Sequence, residues 1–311
     1  AELLAAVRAD SKLLAAVERH RGGESLEALC MRFARARPHS LAKALAMLSA
    51  DMRYREEHDM LRLAVTPARD VLMMGSAVDR NLDPVDVEVE HFKQFPHGLI
   101  GRDRMGRLVM YKHYGKVRFW ELAKMGIEVQ ALARYHLWLQ ERALRAMGHQ
   151  GQWVCILDLE GCTLAQCAAK AHLRYAKELS GLDSLLYPER LGAFYIINAP
   201  AVFEGPWRFV RSLVDAKSLQ KVQVLGGPDK WRQPLSETLD LRILPKNLGG
   251  ETVLSPASFG PCARERAEAQ MAMGPPPCID KPIARKTQTI SLHLIVLLLS
   301  WFLVMSGLIL L

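Results

Sequence analysis

The sequence predicts an α/β protein with a helical N-terminal lobe, a mixed but largely parallel sheet lobe, and a membrane-spanning helix at its C-terminal end. Residues 1–60 carry apolar side chains at helical spacing. Beyond about residue 90, short apolar strands alternate with amphipathic helices, the pattern of βαβ units. Residues 290–311 contain no Asp, Glu, Lys or Arg. We therefore predict a helical lobe at 1–60, a sheet lobe at 61–250, a linker at 251–289 and a terminal helix at 290–311.

The N-terminal lobe is predicted from apolar residues that recur every three or four positions. This pattern predicts helices over residues 1–20, over 26–36 and from 41 onward. Pro38 ends the second helix, and Ser40 is suited to cap the third, because a serine oxygen can accept from the first free backbone amides.

The sheet lobe is predicted from apolar runs bounded by turn residues. Phe194, Tyr195, Ile196 and Ile197 are all strong strand formers, and such an unbroken run is typical of a parallel strand covered on both faces. Pro200 lacks a backbone donor and ends this strand. The predicted strands are 106–111, 153–158, 194–198, 221–226 and 241–244, with helices at 127–147, 164–179 and 204–214.

The C-terminal end is predicted to anchor the chain. At ~1.5 Å rise per residue, a helix over residues 290–311 is about 33 Å long, enough for a bilayer core of roughly 30 Å. Lys281, Arg285 and Lys286 precede it, which by the positive-inside rule leaves the main domain in the cytosol. A buried core helix is the alternative. The proline-rich linker at 251–289, treated as a coil, would reach on the order of 35 Å.

The net charge of +8 suits anionic membranes, nucleic acid or acidic partners. Nucleic acid is disfavoured, since the chain has no zinc-finger spacing and no arginine-rich run with interleaved aromatics. None of the six cysteines forms a Cys-x-x-Cys pair, so we expect reduced thiols and no metal site.

Motifs of common enzymes are absent from the sequence. It has no Gly-x-Ser-x-Gly elbow, P-loop, His-Glu-x-x-His or dinucleotide glycine pattern, so we expect neither an enzyme nor a cofactor. His136, His149 and His172 have no carboxylate or cysteine partner at ligand spacing, and we interpret them as helix-surface or packing residues.

Six separated motifs, in this order and spacing, resemble the CRAL-TRIO lipid-binding family, and specifically its phosphatidylinositol transfer branch. The similarity covers roughly residues 25–250. The motifs are Arg-Phe-Ala-Arg-Ala-Arg at 32–37, Tyr-Arg at 54–55, Asp-Arg-Met-Gly-Arg at 103–107, Asp-Leu-Glu-Gly at 158–161, the run at 187–200, and Leu-Pro-Lys-Asn-Leu-Gly-Gly at 244–250.

The resemblance implies a helical lobe beside an α/β lobe whose sheet floors an apolar lipid pocket under a gating helix. Phe203, Trp207, Val210 and Val214 match that gating helix by position and fall on one helical face. Such a face can cap a lipid or touch a membrane. On periodicity alone, an ordinary docked helix is the favoured interpretation.

The resemblance also implies a headgroup site. Arg37, Glu189 and Lys221 match the family's inositol-headgroup positions, and Ser218 matches a nearby hydroxyl position. Arg and Lys can pair with a phosphate, and a carboxylate can accept from ring hydroxyls. Taken singly, each would be an ordinary surface charge.

One departure concerns phosphatidylcholine. Family members that carry this lipid have hydroxyl side chains at two positions of the strand where this chain has Trp153 and Cys155. An indole and a thiol do not replace those hydrogen bonds, so phosphatidylcholine exchange is not expected.

We expect a membrane-anchored protein that binds phosphatidylinositol, contacts anionic membrane surfaces and exchanges phospholipid. The first alternative is a scaffold or sensor that presents one lipid to a lipid kinase or tether partner without net transfer. The second is a carrier of another small hydrophobic ligand.

Overall fold

Four helices form the N-terminal lobe. A computed structural model describes residues 1–74, 84–149, 151–163, 166, 170–203, 207 and 219–256. Where the sequence predicted one helix over 1–20, the structure has two, because the Asp10 carboxylate accepts from the amides of Lys12 (3.1 Å) and Leu13 (3.0 Å) and so begins a second helix. The four are α1 (Glu2–Ala9), α2 (Ser11–His20), α3 (Leu26–Ala36) and α4 (Leu41–Glu57), packed around Val7, Val17, Phe33 and Leu48.

A five-stranded sheet forms the second lobe. Its spatial order follows the chain, with the first pair antiparallel and the other three pairs parallel, so the sheet is mixed and largely parallel as predicted. The strands are β1 (His97–Arg102), β2 (Leu108–His113), β3 (Trp153–Asp158), β4 (Leu191–Ile197) and β5 (Val222–Val224).

Helices cover both faces of the sheet. On one face, Met110 and Trp153 pack in a core with Trp138 of the long helix α9. On the other face, Val154 and Tyr195 pack against Trp231. The first face carries α5 (Met60–Leu63), α6 (Ala68–Met73), α7 (Pro84–Gln94), α8 (Phe119–Lys124), α9 (Val129–Ala146) and α10 (Lys170–Leu186), and the second carries α11 (Pro228–Thr238).

The predicted strand at 241–244 is wrong. Residues Leu241–Ile243 form a short 3₁₀ helix. The carboxylate of Asp240 accepts from the amide of Arg242 at 3.0 Å, and the amide of Leu244 closes a turn on the Leu241 carbonyl. These local bonds compete with strand pairing, and a short apolar run does not by itself distinguish strand from turn.

The predicted helix at 204–214 lies outside the described residues apart from Trp207, and the predicted linker and terminal helix lie wholly outside them. Within the part of the chain that the structure describes, no helix has both the length and the apolar character needed to cross a bilayer.

Candidate functional site

A cavity of about 510 Å³ runs along β5 and past the carboxyl end of β4. Its volume falls in the range of roughly 300–1,000 Å³ found for small-molecule sites. Val222 and Val224 line it, and as alternate residues of one strand they project from the same face of the sheet. The remaining lining residues are also uncharged: Ala199, Pro200, Ala201, Phe203, Trp207, Leu219 and Gly226.

Two aromatic rings form part of the cavity wall beyond the end of β4. The rings of Phe203 and Trp207 stack with their centroids 6.5 Å apart and their planes 18° from parallel. Both were predicted to belong to the gating helix, and both contact the cavity. The other two predicted members, Val210 and Val214, lie outside the described residues.

A carboxylate and an ammonium meet at the opposite, amino end of the same strands. Glu189 precedes β4 and Lys221 precedes β5, and neighbouring parallel strands begin at the same edge of a sheet. The Lys221 Nζ lies 3.9 Å from the Glu189 Oε2, and the exposed fractions of the two side chains are 20% and 17%. Lys221 directly precedes the cavity-lining Val222, and neither member of the charged pair is itself among the residues that line the cavity.

The turn that carries Glu189 is held from both lobes. Glu189 has a left-handed backbone conformation (φ 59°), which is uncommon for a residue other than glycine. Gln152 donates to the Glu189 carbonyl at 3.1 Å, and Arg32 of the N-terminal lobe donates to the Pro188 carbonyl at 3.0 Å. These bonds fix the backbone from which the Glu189 carboxylate projects.

Arg37 stands apart from this pair. It caps the end of α3 on the surface, and its guanidinium donates to the carbonyl of Ala36 at 2.8 Å. Within the described residues it forms no ion pair with Glu189, so the structure brings together two of the three predicted headgroup residues. Ser218 lies outside the described residues.

The buried arginine cluster behind the Glu189 turn was not predicted. Arg32 and Arg190 share the carboxylate of Glu24, with Nη2 to Oε2 distances of 2.7 Å and 2.8 Å. Burial, reinforced by the charge of Arg32, lowers the pKa of Arg190 to about 10, and Glu24 opposes that shift. The arginine motif at 32–37 was interpreted through Arg37, but the arginine of this motif that joins the buried cluster is Arg32.

A second buried ion pair joins the two lobes nearby. Arg55 of α4 bonds to Asp51 at 2.8 Å and to Glu141 of α9 at 3.0 Å. The hydroxyl of Tyr187 donates to the same Glu141 carboxylate at 2.8 Å. Arg55 belongs to the Tyr-Arg motif and Tyr187 opens the run at 187–200, so both motifs lock the lobes together.

The Asp-Leu-Glu-Gly motif supplies a structural hydrogen-bond acceptor on the other face of the sheet. Asp158 accepts from the hydroxyl of Tyr111 at 2.6 Å and from the amide of Asn198 at 2.9 Å. His113, Asp158 and Glu160 place their ligand atoms within 4.8 Å of one another. Because both Asp158 oxygens already accept hydrogen bonds, this arrangement fits a structural role better than a metal site.

Trp153 and Cys155 both lie on the face of the sheet that carries the cavity, and both are buried. The Trp153 ring packs edge-on against Tyr187, with centroids 5.8 Å apart. Burial raises the pKa of the Cys155 thiol to about 11, so the thiol is neutral. Neither side chain presents a hydroxyl to a ligand.

His136 was interpreted as a helix-surface or packing residue, and it is a buried packing residue that also has a carboxylate partner distant in sequence. His136 is buried, and its Nε2 lies 2.8 Å from the Oδ1 of Asp183. The two residues lie 47 positions apart on different helices, so no spacing motif connects them.

Comparison with known proteins gives consistent matches. The sequence model described as "CRAL/TRIO domain" matches residues 92–250. The SEC14 cytosolic factor of Candida glabrata is 26% identical over 239 residues, which cover 74% of this chain and 72% of that protein. The CRAL-TRIO domain-containing protein YKL091C of Saccharomyces cerevisiae is 27% identical over 232 residues, covering 72% and 70%.

A plant relative is longer. The phosphatidylinositol/phosphatidylcholine transfer protein SFH9 of Arabidopsis thaliana is 29% identical over 230 residues, which cover 71% of this chain and 36% of that protein. The matched range 92–250 contains every strand of the described sheet, the residues that line the cavity and the Glu189–Lys221 pair. On the basis of this match, the chain belongs to the CRAL/TRIO family.

Proposed function

We propose that this protein binds phosphatidylinositol in its cavity and exchanges it between membranes, by extraction and without a covalent step. The observation that carries the proposal is the uncharged cavity along β5, with the Glu189–Lys221 pair at the amino end of β4 and β5. The name of the plant relative, a phosphatidylinositol/phosphatidylcholine transfer protein, supports a phospholipid ligand.

The cavity accounts for how such a lipid could leave a membrane. Moving acyl chains into water costs ~0.8 kcal/mol per CH₂, so two ordinary chains cost on the order of 20 kcal/mol. An apolar space lined by residues such as Val222, Val224 and Leu219 offers the chains an environment like the bilayer and so removes most of this barrier.

The charged pair accounts for headgroup selection. The Lys221 ammonium can bind the lipid phosphate, and the Glu189 carboxylate can accept from inositol hydroxyls. The Lys221 Nζ and the Glu189 Oε2 are 3.9 Å apart, which is too far for a direct hydrogen bond between them. In this proposal Arg37 and Ser218 assist from outside the pair, and Trp153 and Cys155 disfavour phosphatidylcholine.

The proposed exit lies at the aromatic end of the cavity. Phe203 and Trp207 suit the membrane interface, where aromatic rings are favoured. With Val210 and Val214 they would form the gating helix. Arg208, Arg211 and Lys217 in the same region of sequence favour anionic leaflets.

Membrane anchoring by residues 290–311 is part of the proposal and rests on the sequence alone. Its test is alkaline extraction of membranes from cells that express the full chain. We expect the full chain to stay with the membrane pellet and a chain ending at residue 289 to be released. Release of both would remove the anchor from the proposal.

The headgroup assignment is tested by mass spectrometry of lipids that copurify with the full chain. We expect phosphatidylinositol to be enriched with the wild-type chain. The double variant Glu189→Ala/Lys221→Ala should copurify with at least about tenfold less of it, because the lipid phosphate and the inositol hydroxyls lose their charged partners.

The matched control is Asp229→Ala/Lys230→Ala, which removes an ion pair of the same kind at the surface, where the side chains are 71% and 70% exposed. This control should retain the lipid, and thermal unfolding of both variants checks that each one folds. An unchanged lipid profile in the Glu189/Lys221 variant would show that the headgroup assignment is wrong.

A second candidate function is lipid presentation without net transfer, to a lipid kinase or a tether partner. The uncharged stretch at 290–311 favours it, since an anchored domain exchanges lipid only as far as its linker reaches. A transfer assay with fluorescent phosphatidylinositol in donor and acceptor vesicles separates the two functions. Binding together with a transfer rate equal to that of the protein-free control supports presentation.

A further inference from the structure

The corner where α3 meets α4 is basic. No Asp or Glu occurs between Glu27 and Asp51, whereas this stretch contains three arginines, one lysine and one histidine. One of these arginines, Arg32, is compensated by the buried Glu24. The exposed cations and large apolar residues of this α3–α4 corner are Met31, Arg35, Arg37, Leu41 and Lys43.

The cations of the corner differ from the other arginines of the N-terminal lobe. Within residues 1–57, every other arginine forms an ion pair with an aspartate or a glutamate: Arg8, Arg19, Arg21, Arg32, Arg53 and Arg55. Among the described residues, no such pair is formed by Arg35, Arg37 or Lys43. The Arg37 guanidinium donates to the carbonyl of Ala36 at 2.8 Å, which leaves its charge uncompensated. The unpaired positive charge of this lobe is therefore concentrated at the corner.

Apolar side chains lie beside these cations. Met31 is 47% exposed and Leu41 is 41% exposed, although other apolar residues of the same helices, such as Phe33, are fully buried. Met31 lies four positions before Arg35 on α3, so the two share a helix face, and Leu41 begins α4 two positions before Lys43. Isolated exposed apolar residues are common on any surface, but two of them grouped with three unpaired cations indicate a site for a partner.

The location of the corner decides between a protein and a membrane as that partner. Arg32 of α3 donates to the Pro188 carbonyl just before β4, whereas Phe203 and Trp207 line the cavity beyond the other end of this strand. The seven residues of β4 separate its two ends by roughly 20 Å. Attraction between exposed charges is largely screened beyond ~8 Å at physiological salt. A bilayer at the aromatic end would therefore attract the corner only weakly, which favours a protein.

We propose that the α3–α4 corner binds an acidic segment of a partner protein. The choice of a protein over a bilayer rests on the proposed function, which places the membrane at the aromatic end of the cavity. The guanidinium groups of the corner pair with carboxylates of the segment, and each can donate two parallel hydrogen bonds to one carboxylate. Lys43 adds a third positive charge, and Met31 and Leu41 contact an apolar side chain of the same segment.

The test is the binding of a fluorescein-labelled peptide to the full chain in nanodiscs of neutral phosphatidylcholine. The probe is a twelve-residue peptide that repeats Glu-Glu-Leu, and its neutral counterpart repeats Gln-Gln-Leu. We expect the acidic peptide to bind at least about tenfold more tightly than the neutral one, and its binding to weaken as salt is added. Fluorescence anisotropy measures both. Equal binding of the two peptides, or no binding of the acidic one, would overturn the proposal.

Two double variants locate the binding, and both remove two exposed positive charges from the N-terminal lobe. Arg35→Ser/Lys43→Ser should weaken binding of the acidic peptide about tenfold, because two charged contacts are lost. The control is Arg19→Ser/Arg53→Ser, at side chains that are 61% and 67% exposed but are each paired with a glutamate. It should change the affinity by less than about twofold. Equal losses in the two variants would show that the peptide responds only to net charge, and would contradict the assignment.

A third variant removes an apolar contact and leaves every charge in place. Met31→Ser should weaken binding of the acidic peptide about threefold, since part of a methionine side chain no longer leaves water on binding. This variant keeps the test decisive if Arg35→Ser/Lys43→Ser fails to fold, which thermal unfolding checks. An unchanged affinity in folded Met31→Ser would remove the apolar side chains from the proposed site and so overturn the site as described.

Vesicles that contain phosphatidylserine test the membrane as the alternative partner. We expect any binding of the full chain to them to be the same for Arg35→Ser/Lys43→Ser and for wild type. Vesicle binding that this variant abolishes, together with no binding of the acidic peptide, would show that the corner contacts a bilayer and would overturn the proposal.

Mass spectrometry separates this proposal from the headgroup assignment. Arg35→Ser/Lys43→Ser should retain copurifying phosphatidylinositol and lose the peptide, whereas Glu189→Ala/Lys221→Ala should do the opposite. Either proposal can therefore fail alone.

Discussion

Single charged residues connect the two lobes through buried ion pairs at their junction. Glu24 holds two arginines from different parts of the chain, Arg32 and Arg190. The two guanidinium groups share this one carboxylate as their counter-ion, and removing it leaves both without that partner.

Glu24→Gln should lower the free energy of unfolding by about 3–5 kcal/mol, since Arg190 remains buried and unpaired. The control is Glu27→Gln, whose partner Arg8 and own side chain are 57% and 59% exposed, and which should change stability by less than about 0.5 kcal/mol. Urea unfolding measures both. Equal effects of the two substitutions would show that Glu24 is not the anchor described here.

His97 should make stability depend on pH. Burial lowers its pKa to about 4, the hydrogen bond to the Phe95 carbonyl opposes this shift, and the charge of Lys112 adds to it. Between pH 6.5 and 4 the unfolded chain then binds the extra proton, so this stabilising contribution is complete above pH 6.5 and is lost as the pH falls toward 4.

We expect the contribution of His97 to be about 2 kcal/mol smaller at pH 5 than at pH 7. His97→Gln cannot titrate in this range, so the loss of stability between these pH values should be smaller for the variant by that amount. Unfolding in urea at both pH values is the measurement. Parallel pH curves for variant and wild type would contradict it.

At the scale of elements, the segment that follows β2 packs so closely against the backbone beyond β3 that Gly115 has no room for a side chain. A Cβ on Gly115 would collide with the backbone of Leu159 and Glu160. Gly181, within helix α10, is the opposite case, because a Cβ there meets nothing within 4 Å.

Gly115→Ala should therefore destabilise the protein by about 1–3 kcal/mol through backbone displacement. Gly181→Ala should stabilise it by about 0.5–1 kcal/mol, since glycine weakens a helix interior. Thermal unfolding distinguishes the two signs. A neutral Gly115→Ala would mean that the two segments are not in close contact.

Elements were predicted most accurately where a segment showed a single clear pattern. The strand at 153–158 is a continuous apolar run, and the structure places it at the same residues. β1 was not predicted, because Gly98 and Gly101 interrupt its pattern and a register shift follows Leu99. At 241–244 an aspartate at the start of the run favoured a turn over a strand.

At the scale of the whole molecule, the N-terminal helices complete the sheet lobe electrostatically. Glu141 and Arg190 are buried in the sheet lobe, and their partners Arg55 and Glu24 come from residues 1–57. The sheet lobe alone would therefore contain two buried charges without these counter-ions.

A chain that begins at residue 58 should consequently lose the cooperative thermal transition of the full chain, because Glu141 and Arg190 lose their partners. Near-ultraviolet circular dichroism during heating measures this. A sharp transition in the shortened chain, close to that of the full chain, would show that the sheet lobe folds independently.

The site was predictable only as far as local motifs describe it. Glu189 and Lys221 were predicted as neighbours, and the parallel arrangement of β4 and β5 brings them together. In the arginine motif the structure assigns the contact with the Glu189 turn to Arg32, and leaves Arg37 at the surface. The His136–Asp183 contact joins two helices, and no periodicity within either helix contains that information.

The distance between the Glu189–Lys221 pair and the rings of Phe203 and Trp207 also has a kinetic consequence. β4 has seven residues, so at ~3.3 Å each the two ends of the strand lie roughly 20 Å apart. In the proposed function, a lipid that entered head first past Phe203 would meet Glu189 and Lys221 only after most of its length had been admitted. Lipids with different heads would then load at similar speeds, and the protein would distinguish them by residence time.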